Sequence, residues 1–375
     1  MSLAFEKAWE ERKTIAREWK NSKGKIVGVF NSLIPEEMVH GAGILPVEII
    51  SLDKSIANSR KYLPEFLCPY LKDCLDQALE GDLDDLDGAA IAHACESLRG
   101  FYGVWKKNAG LADPFFLQIP ATDGEGAKIY FLQELKSLKA YLEGISGNEI
   151  TDDALHHAIA VSNENKRLLK KLYQHREKKG AVVSSTDVVN VLKARLVLPM
   201  DRHTEMLKNY LDQIENAPAA ADSQEKVRLT LISNCVLESA IVSEMAEAVS
   251  GRIVNDNLCY GLRCCWEEVE DADDPMTAIA EHYLTKIPCP GKFPMDTLSD
   301  TLTSFVTKSR SEGMIWVIDK FCDPYLFQYP MLLESIQEKG IKHINLEDGD
   351  IKNSGRLRLK LEAFVEMLQS DVLVY

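Results

Sequence analysis

Nine cysteines are spread along this 375-residue chain, and several stand where a ligand could use them. Cys322 falls just past Met314–Ile318, a short apolar run of strand type, and a helix started by Pro324 follows. The same order of apolar run, cysteine and helix occurs at Ala89–Cys95 and again at Leu229–Cys235. Ligands of open α/β sheets bind in the crevice beyond the carboxyl ends of the strands. Cys95, Cys235 and Cys322 can therefore converge on one crevice. Cys68 lies at a loop-to-helix junction, and Cys259 follows a short strand expected at Arg252–Asn255, on the same edge as Cys235. Cys289 sits between Pro288 and Pro290, which stiffen the backbone and remove two amide donors. Cys74, mid-helix, and the adjacent pair Cys264 and Cys265 read as structural.

Spacing alone leaves three chemistries open: inert buried thiols, nucleophiles and metal ligands. A lone buried cysteine is more often a small hydrophobe than a ligand. The chain has no CxxC pair, which disfavours a zinc ribbon and a thioredoxin-like redox pair. His93, two residues before Cys95, keeps a cysteine–histidine nucleophile in play. Dispersed thiolates at repeated strand ends suit an iron–sulfur cluster.

The elements that must position these residues alternate between strand and helix. Strands are expected at Lys25–Phe30, Ile44–Ile50, Gly88–Ala94 and Phe115–Ile119, and one charged helix at Glu6–Lys20. From Gly126 to about Tyr210 the pattern is helical throughout, and Asn216–Ser223 reads as a linker. Alternation then resumes with Val227–Ser233, Arg252–Asn255, Met314–Ile318 and Ile341–Asn345. The fold class expected is α/β, with two doubly wound parallel-sheet domains of Rossmann or flavodoxin type and a helical segment between them. The boundaries expected are 1–150 for the first domain with its N-terminal helix, 151–222 for the helical segment and linker, and 223–375 for the second domain.

Apolar content of 46% and charged content of 27% are those of an ordinary globular protein. No run approaches the roughly 18 to 20 apolar residues of a membrane span. The first twenty residues have no signal-peptide core, so a cytoplasmic location and no membrane partner are expected. With 58 acidic against 43 basic residues the net charge is −15, which argues against a nucleic-acid partner. The cytoplasm keeps thiols reduced, so disulfides are not expected.

Several motifs together resemble the 2-hydroxyacyl-CoA dehydratase and benzoyl-CoA reductase family. They are Gly24-Lys25-Ile26-Val27-Gly28-Val29, Pro35-Glu36-Glu37, His40-Gly41-Ala42-Gly43-Ile44-Leu45-Pro46-Val47, Leu67-Cys68-Pro69, Ala94-Cys95-Glu96-Ser97-Leu98-Arg99 and Lys320-Phe321-Cys322-Asp323-Pro324. The resemblance implies that Cys68, Cys95 and Cys322 hold a [4Fe–4S] cluster. Dehydratase subunits generally lack cysteines at the positions of Cys235, Cys259 and Cys289. The family branch with a double-cubane [8Fe–9S] cluster carries six cysteines in this order, and this chain has all six. The resemblance therefore favours a double cubane held by Cys68, Cys95, Cys235, Cys259, Cys289 and Cys322, with a single [4Fe–4S] cluster as the alternative.

The resemblance also implies a function: the iron–sulfur subunit of an ATP-dependent low-potential reductase that dearomatises an aromatic acyl-CoA thioester. Its partners would be a homologous subunit in a heterodimer, an ATP-hydrolysing activator with its own [4Fe–4S] cluster, and a ferredoxin upstream. The alternatives are a homodimeric double-cubane reductase of small molecules such as acetylene, an (R)-2-hydroxyacyl-CoA dehydratase subunit, and a non-enzymatic electron-transfer scaffold. The chain has no GxxxxGK[ST] motif for binding ATP itself. Glu36, Glu37 and His40 begin the first crevice helix and could handle protons, with Glu36 and His40 the candidate catalytic residues; Glu36 or Glu37 reads more simply as a helix-start residue, and His40 as a satisfied histidine. Arg99, Lys106 and Lys107 could pair with CoA phosphates, but read more simply as a solvated helix face. The Tyr260-Gly261-Leu262-Arg263 run after Cys259 could position a substrate or a ligand.

Overall fold

The computed structural model describes residues 2–22, 24–52, 56–178, 182–218, 226–234, 236–286, 289–294 and 296–372. Cys235, Ile287, Pro288 and most of the Asn216–Ser223 linker lie outside the described residues. The chain opens with α1 (Leu3–Glu10) and α2 (Arg12–Asn21), where the sequence pattern predicts one helix. The break at Glu11 lets the few apolar residues of this charged stretch, Phe5, Ala8 and Ile15, enter one core.

The first sheet is built from β1 (Lys25–Phe30), α3 (Glu36–Gly41), β2 (Ile44–Glu48), α4 (Pro69–Leu79), β3 (Gly88–Ala92), α5 (Glu96–Asn108) and β4 (Phe115–Leu117). Four helices follow: α6 (Glu125–Ser146), α7 (Asp152–Glu177), α8 (Ser185–Arg195) and α9 (Met200–Asn216). The second sheet begins with β5 (Val227–Ser233), α10 (Val236–Ala248), β6 (Gly251–Leu258), α11 (Leu262–Cys265), α12 (Pro275–Thr285) and α13 (Asp296–Ser309). It is completed by β7 (Gly313–Val317), α14 (Asp323–Glu338), β8 (Lys342–Leu346), α15 (Asp348–Ile351) and α16 (Ser354–Val372).

All strand pairs are parallel, and the two sheets share one topology, β2-β1-β3-β4 and β6-β5-β7-β8. The registers correspond as well: Val27 pairs with Gly88 in the first sheet and Leu229 with Gly313 in the second. Parallel sheets need cover on both faces, which explains why β1, β3 and β7 are buried almost throughout. On one face of the first sheet Val27 and Ala90 meet Phe131 and Leu135 of α6 and Ile279 of α12. On the other, Phe30 and Ile91 meet Leu71 and Leu75 of α4 and Phe101 and Trp105 of α5. The second sheet is covered likewise, by α10 and α16 on one side and α13 and α14 on the other. No described helix is long and apolar enough to cross a membrane.

Strand β6 extends to Leu258, three residues past the strand expected from the sequence, while β2 stops at Glu48. Both differences matter for the site. They place Cys259 directly at a strand's carboxyl end and make Glu48 the last residue of another. Helix α3 ends normally: Gly43, at φ +68°, takes the left-handed conformation that lets the chain leave the helix and enter β2.

Candidate functional site

The strand order of each sheet reverses once, between β1 and β3 and between β5 and β7. The carboxyl ends at both switch points open on the same cavity. Asn31 after β1, Cys95 after β3, Asn234 after β5 and Cys322 after β7 all line it. Its volume of about 110 Å³ is several times the roughly 10–15 Å³ that one water requires. Cys68, Cys95, Cys259, Cys289 and Cys322 line this one cavity. The structure thus brings together five of the six cysteines singled out, and the sixth, Cys235, lies outside the described residues.

Three of the five share one local device. Cys68, Cys95 and Cys322 are the N-cap residues of α4, α5 and α14. Pro69 and Pro324 stand in the first turns of two of these helices, where proline's fixed φ and missing N–H suit a helix start. A helix N-terminus presents unpaired N–H groups and the positive end of the dipole, so each sulfur sits where negative charge is favoured. Phe321, immediately before Cys322, has φ +65°. A bulky residue in this region is strained by about 1–3 kcal/mol, and the strain turns the chain sharply between β7 and α14.

Cys259 and Cys289 are placed by tertiary contacts. Buried Asp256 accepts hydrogen bonds from Tyr173 Oη (2.8 Å), Arg176 Nη2 (3.2 Å) and the Leu262 backbone N–H (3.0 Å). These lock the turn after β6 against α7. The Cys289 loop is held from both sheets: Lys292 Nζ donates to the Pro120 carbonyl (2.7 Å) and the Phe293 N–H to that of Ala121 (2.9 Å). Gln328 of α14 donates to the Pro290 carbonyl. Gly291 lies so close to the Ala94 carbonyl that a Cβ there would fall well inside the 3.0 Å that real Cβ atoms keep, and this contact seats Cys289 beside Cys95.

Burial pushes the thiols up: Cys68 well above its ordinary value, Cys95 and Cys322 also upward, and Cys259 to about 11 against the pull of Arg263. A nucleophilic cysteine needs the opposite, a lowered pKa. His93 offers no support for that chemistry either, since its Nε2 lies 3.3 Å from Glu96 Oε1. Coordination takes the proton from a thiol, so the same burial is compatible with ligation. Among the described residues only His40, His157 and Asp201 bring three ligand atoms within 4.8 Å of one another. The cavity sulfurs do not cluster so tightly. A single zinc ion, with Zn–S bonds of about 2.3 Å, would require that they did.

Glu36 and His40 line a second, smaller cavity of about 50 Å³, with Glu48, Arg195 and Tyr283. Asn31 and Tyr260 line both cavities. Arg195 Nη2 donates to both oxygens of Glu36, at 2.5 and 2.7 Å. His40 is lowered from its ordinary value by burial, with Asp201, 3.7 Å away, acting in the opposite sense. Glu37 is buried among helices, accepting from Lys166, Ser162 and Tyr283. Arg99 pairs with Glu96 and Lys106 with Asp113, all at exposed positions.

Glu48 is a site residue that the sequence pattern does not single out. Burial pushes its carboxyl up to about 8, with hydrogen bonds from Tyr260 Oη and the Asn31 N–H acting the other way. The one signal for it in the sequence is a carboxylate closing a strand that points at the crevice.

A family model described as 2-hydroxyglutaryl-CoA dehydratase, D-component, matches residues 31–368. The chain is 29% identical over 358 residues to one of the subunits of benzoyl-CoA reductase from Thauera aromatica, covering 92% of this chain and 91% of that one. It is 28% identical over 359 residues to the beta subunit of lactoyl-CoA dehydratase from Anaerotignum propionicum, covering 94% of each. It is also 26% identical over 359 residues to the (R)-phenyllactyl-CoA dehydratase beta subunit of Clostridium sporogenes, covering 95% of each.

Proposed function

The chain belongs to the 2-hydroxyglutaryl-CoA dehydratase D-component family, and from that premise we propose that it is the iron–sulfur subunit of an ATP-dependent, low-potential acyl-CoA reductase. The observation that carries this reading is the meeting of Cys259 and Cys289 with Cys68, Cys95 and Cys322 on one cavity. Three thiolates suffice for one [4Fe–4S] unit. The two further cysteines, with Cys235 as the sixth, favour a double cubane. When bound, such a group supplies single electrons at very low potential.

The chain's own residues hold that group and manage charge and protons around it. The helix starts at Cys68, Cys95 and Cys322 favour anionic sulfur. Glu48, its carboxyl pushed up to about 8, lies between the two cavities, and Glu36 and His40 line the smaller one. The substrate proposed is an aromatic acyl-CoA thioester, with electrons delivered by an ATP-hydrolysing iron–sulfur activator fed by a ferredoxin. The relatives with names of the subunit type support a partner subunit, which we take to be a homologous chain. Such a protein belongs in the cytoplasm, where thiols stay reduced.

A second reading, an (R)-2-hydroxyacyl-CoA dehydratase subunit, draws on the relatives named dehydratases; it gives Cys259 and Cys289 no role. Anaerobic iron and sulfide quantification with electron paramagnetic resonance on the purified chain separates the two. About eight irons per chain supports the double cubane, and about four a single cluster of the dehydratase kind. A chain that binds no iron ends both. With the iron count settled, turnover of an aromatic acyl-CoA against a small unsaturated molecule, with activator and ATP, decides the substrate class.

A further inference from the structure

Arg263 is 4% exposed, yet among the described residues no carboxylate forms an ion pair with it. Lys72, 8% exposed, likewise donates to a backbone carbonyl, that of Glu65, but three other deeply buried cations are each answered by a carboxylate. Lys166 Nζ lies 2.9 Å from Glu37, Arg176 Nη2 3.2 Å from Asp256, and Arg195 Nη2 2.5 Å from Glu36. Arg263 Nη2 instead donates to Tyr325 Oη at 3.0 Å, to Cys259 Sγ at 3.2 Å and to the Asn257 carbonyl at 3.4 Å. Among the described residues its Nε has no partner, and both amide atoms of fully buried Asn257 are likewise unpaired. Burying a cation without an anion is strongly unfavourable. The residues it touches are one step from the cavity: Cys259 and Tyr325 both line it.

We infer that Arg263 is the counter-charge for an anionic, thiolate-held cluster in this cavity, coupled to it through Cys259 and Tyr325. The inference rests on the iron–sulfur reading above and extends it to a residue that sets the cluster's energetics. Net charge and hydrogen bonds to sulfur tune the potential of such centres. A fixed guanidinium stabilises the more negative, reduced state, which is the state an ATP-driven donor must reach. Arginine suits the position because its guanidinium keeps its charge when buried, and here one nitrogen, Nη2, reaches both Tyr325 and Cys259. Arg263 is in these terms a positioning and tuning residue, not a catalytic one.

The test compares the full chain with Arg263→Lys and Arg263→Met, each measured metal-free and after anaerobic reconstitution with iron and sulfide. The readouts are iron content, midpoint potential by paramagnetic-resonance titration, and Tm. Arg263→Met with full iron should show the reduced-to-oxidised ratio at the wild-type midpoint falling at least tenfold, a negative shift of about 59 mV for a one-electron couple. Arg263→Lys should restore most of that loss. Reconstitution should raise the Tm of Arg263→Met less than that of the wild type. Arg263→Met that folds but loads no iron, while Arg263→Lys loads it, supports the same assignment. An unchanged midpoint at full iron overturns it, as does a metal-free Arg263→Met chain with a clearly lower Tm, which would make Arg263 a structural brace. A wild-type chain that binds no iron removes the cluster reading itself. The metal-free comparison then still decides whether Arg263 is a cation lacking its anion.

Discussion

Tyr260 Oη donates a hydrogen bond to Glu48 Oε1, tying the residue after Cys259 to the last residue of β2. The Asn31 N–H donates to the same oxygen at 2.8 Å. One link therefore joins both sheets at the wall between the two cavities. Desolvation outweighs these two donors, and the carboxyl is pushed up to about 8.

That shift fixes the sign of a pH effect. Between the ordinary carboxyl value of 4.5 and about 8, the unfolded chain has released this proton and the folded chain has not. Glu48 thus contributes stability below that window and loses it progressively as pH rises through it. Glu48→Gln mimics the neutral acid, so its Tm relative to wild type should climb across the window. The slope should not exceed about 1.4 kcal/mol per pH unit, and partial exposure of the residue reduces it. Thermal melts at several pH values check this. Equal pH profiles for the two proteins would show that Glu48 is ionised in the fold.

Cys289→Ser tests the ligand count. The hydroxyl is a poor substitute for a thiolate on iron, so the variant should lose about half of the iron bound by the wild type if two four-iron units are present. Cys265→Ala should leave iron unchanged, because Cys265 belongs to the helical core and does not line the cavity. Elemental analysis of anaerobically purified protein reads both.

Gly291→Ala probes the seat of the Cys289 loop without touching a sulfur. The added methyl would collide with the Ala94 carbonyl, so the loop must move away from Cys95. Iron content should fall while Tm of the metal-free chain drops by less than a buried-core deletion would cost, about 2–5 kcal/mol. Unchanged iron would show that the contact is dispensable.

The Lys166–Glu37 pair, with both side chains at most 2% exposed, carries a stability prediction free of any cofactor. Lys166→Ala leaves Glu37 as an uncompensated buried charge and should cost about 3–5 kcal/mol. Lys166→Met combined with Glu37→Gln should recover most of that loss, since the charge and its partner go together. Denaturant titration of the metal-free chains measures the difference.

Much of the frame was legible from residue order. Runs such as Lys25–Phe30 and Val227–Ser233 announce themselves as buried parallel strands, and the structure keeps their limits unchanged. The strand, cysteine and helix order at Cys95 and Cys322 survives as two helix N-caps on one cavity. Local patterning reaches this far because strand burial and helix initiation depend on neighbours within a few residues.

What the sequence determined by itself was the alternation of elements, and with it the cysteines' positions at strand ends and helix starts. Only the tertiary structure decided that the two sheets turn their switch points toward each other and that Cys259 and Cys289 join the other three. It also decided that Glu36 faces the smaller cavity, clamped by Arg195 from 159 residues further along the chain. Glu48 and Arg263 acquire their character in the same way. A carboxyl rises to about 8, and among the described residues a cation stands without a carboxylate, because of what other elements bring or fail to bring beside them. Desolvation and pairing arise from packing between distant segments, and no local pattern encodes them.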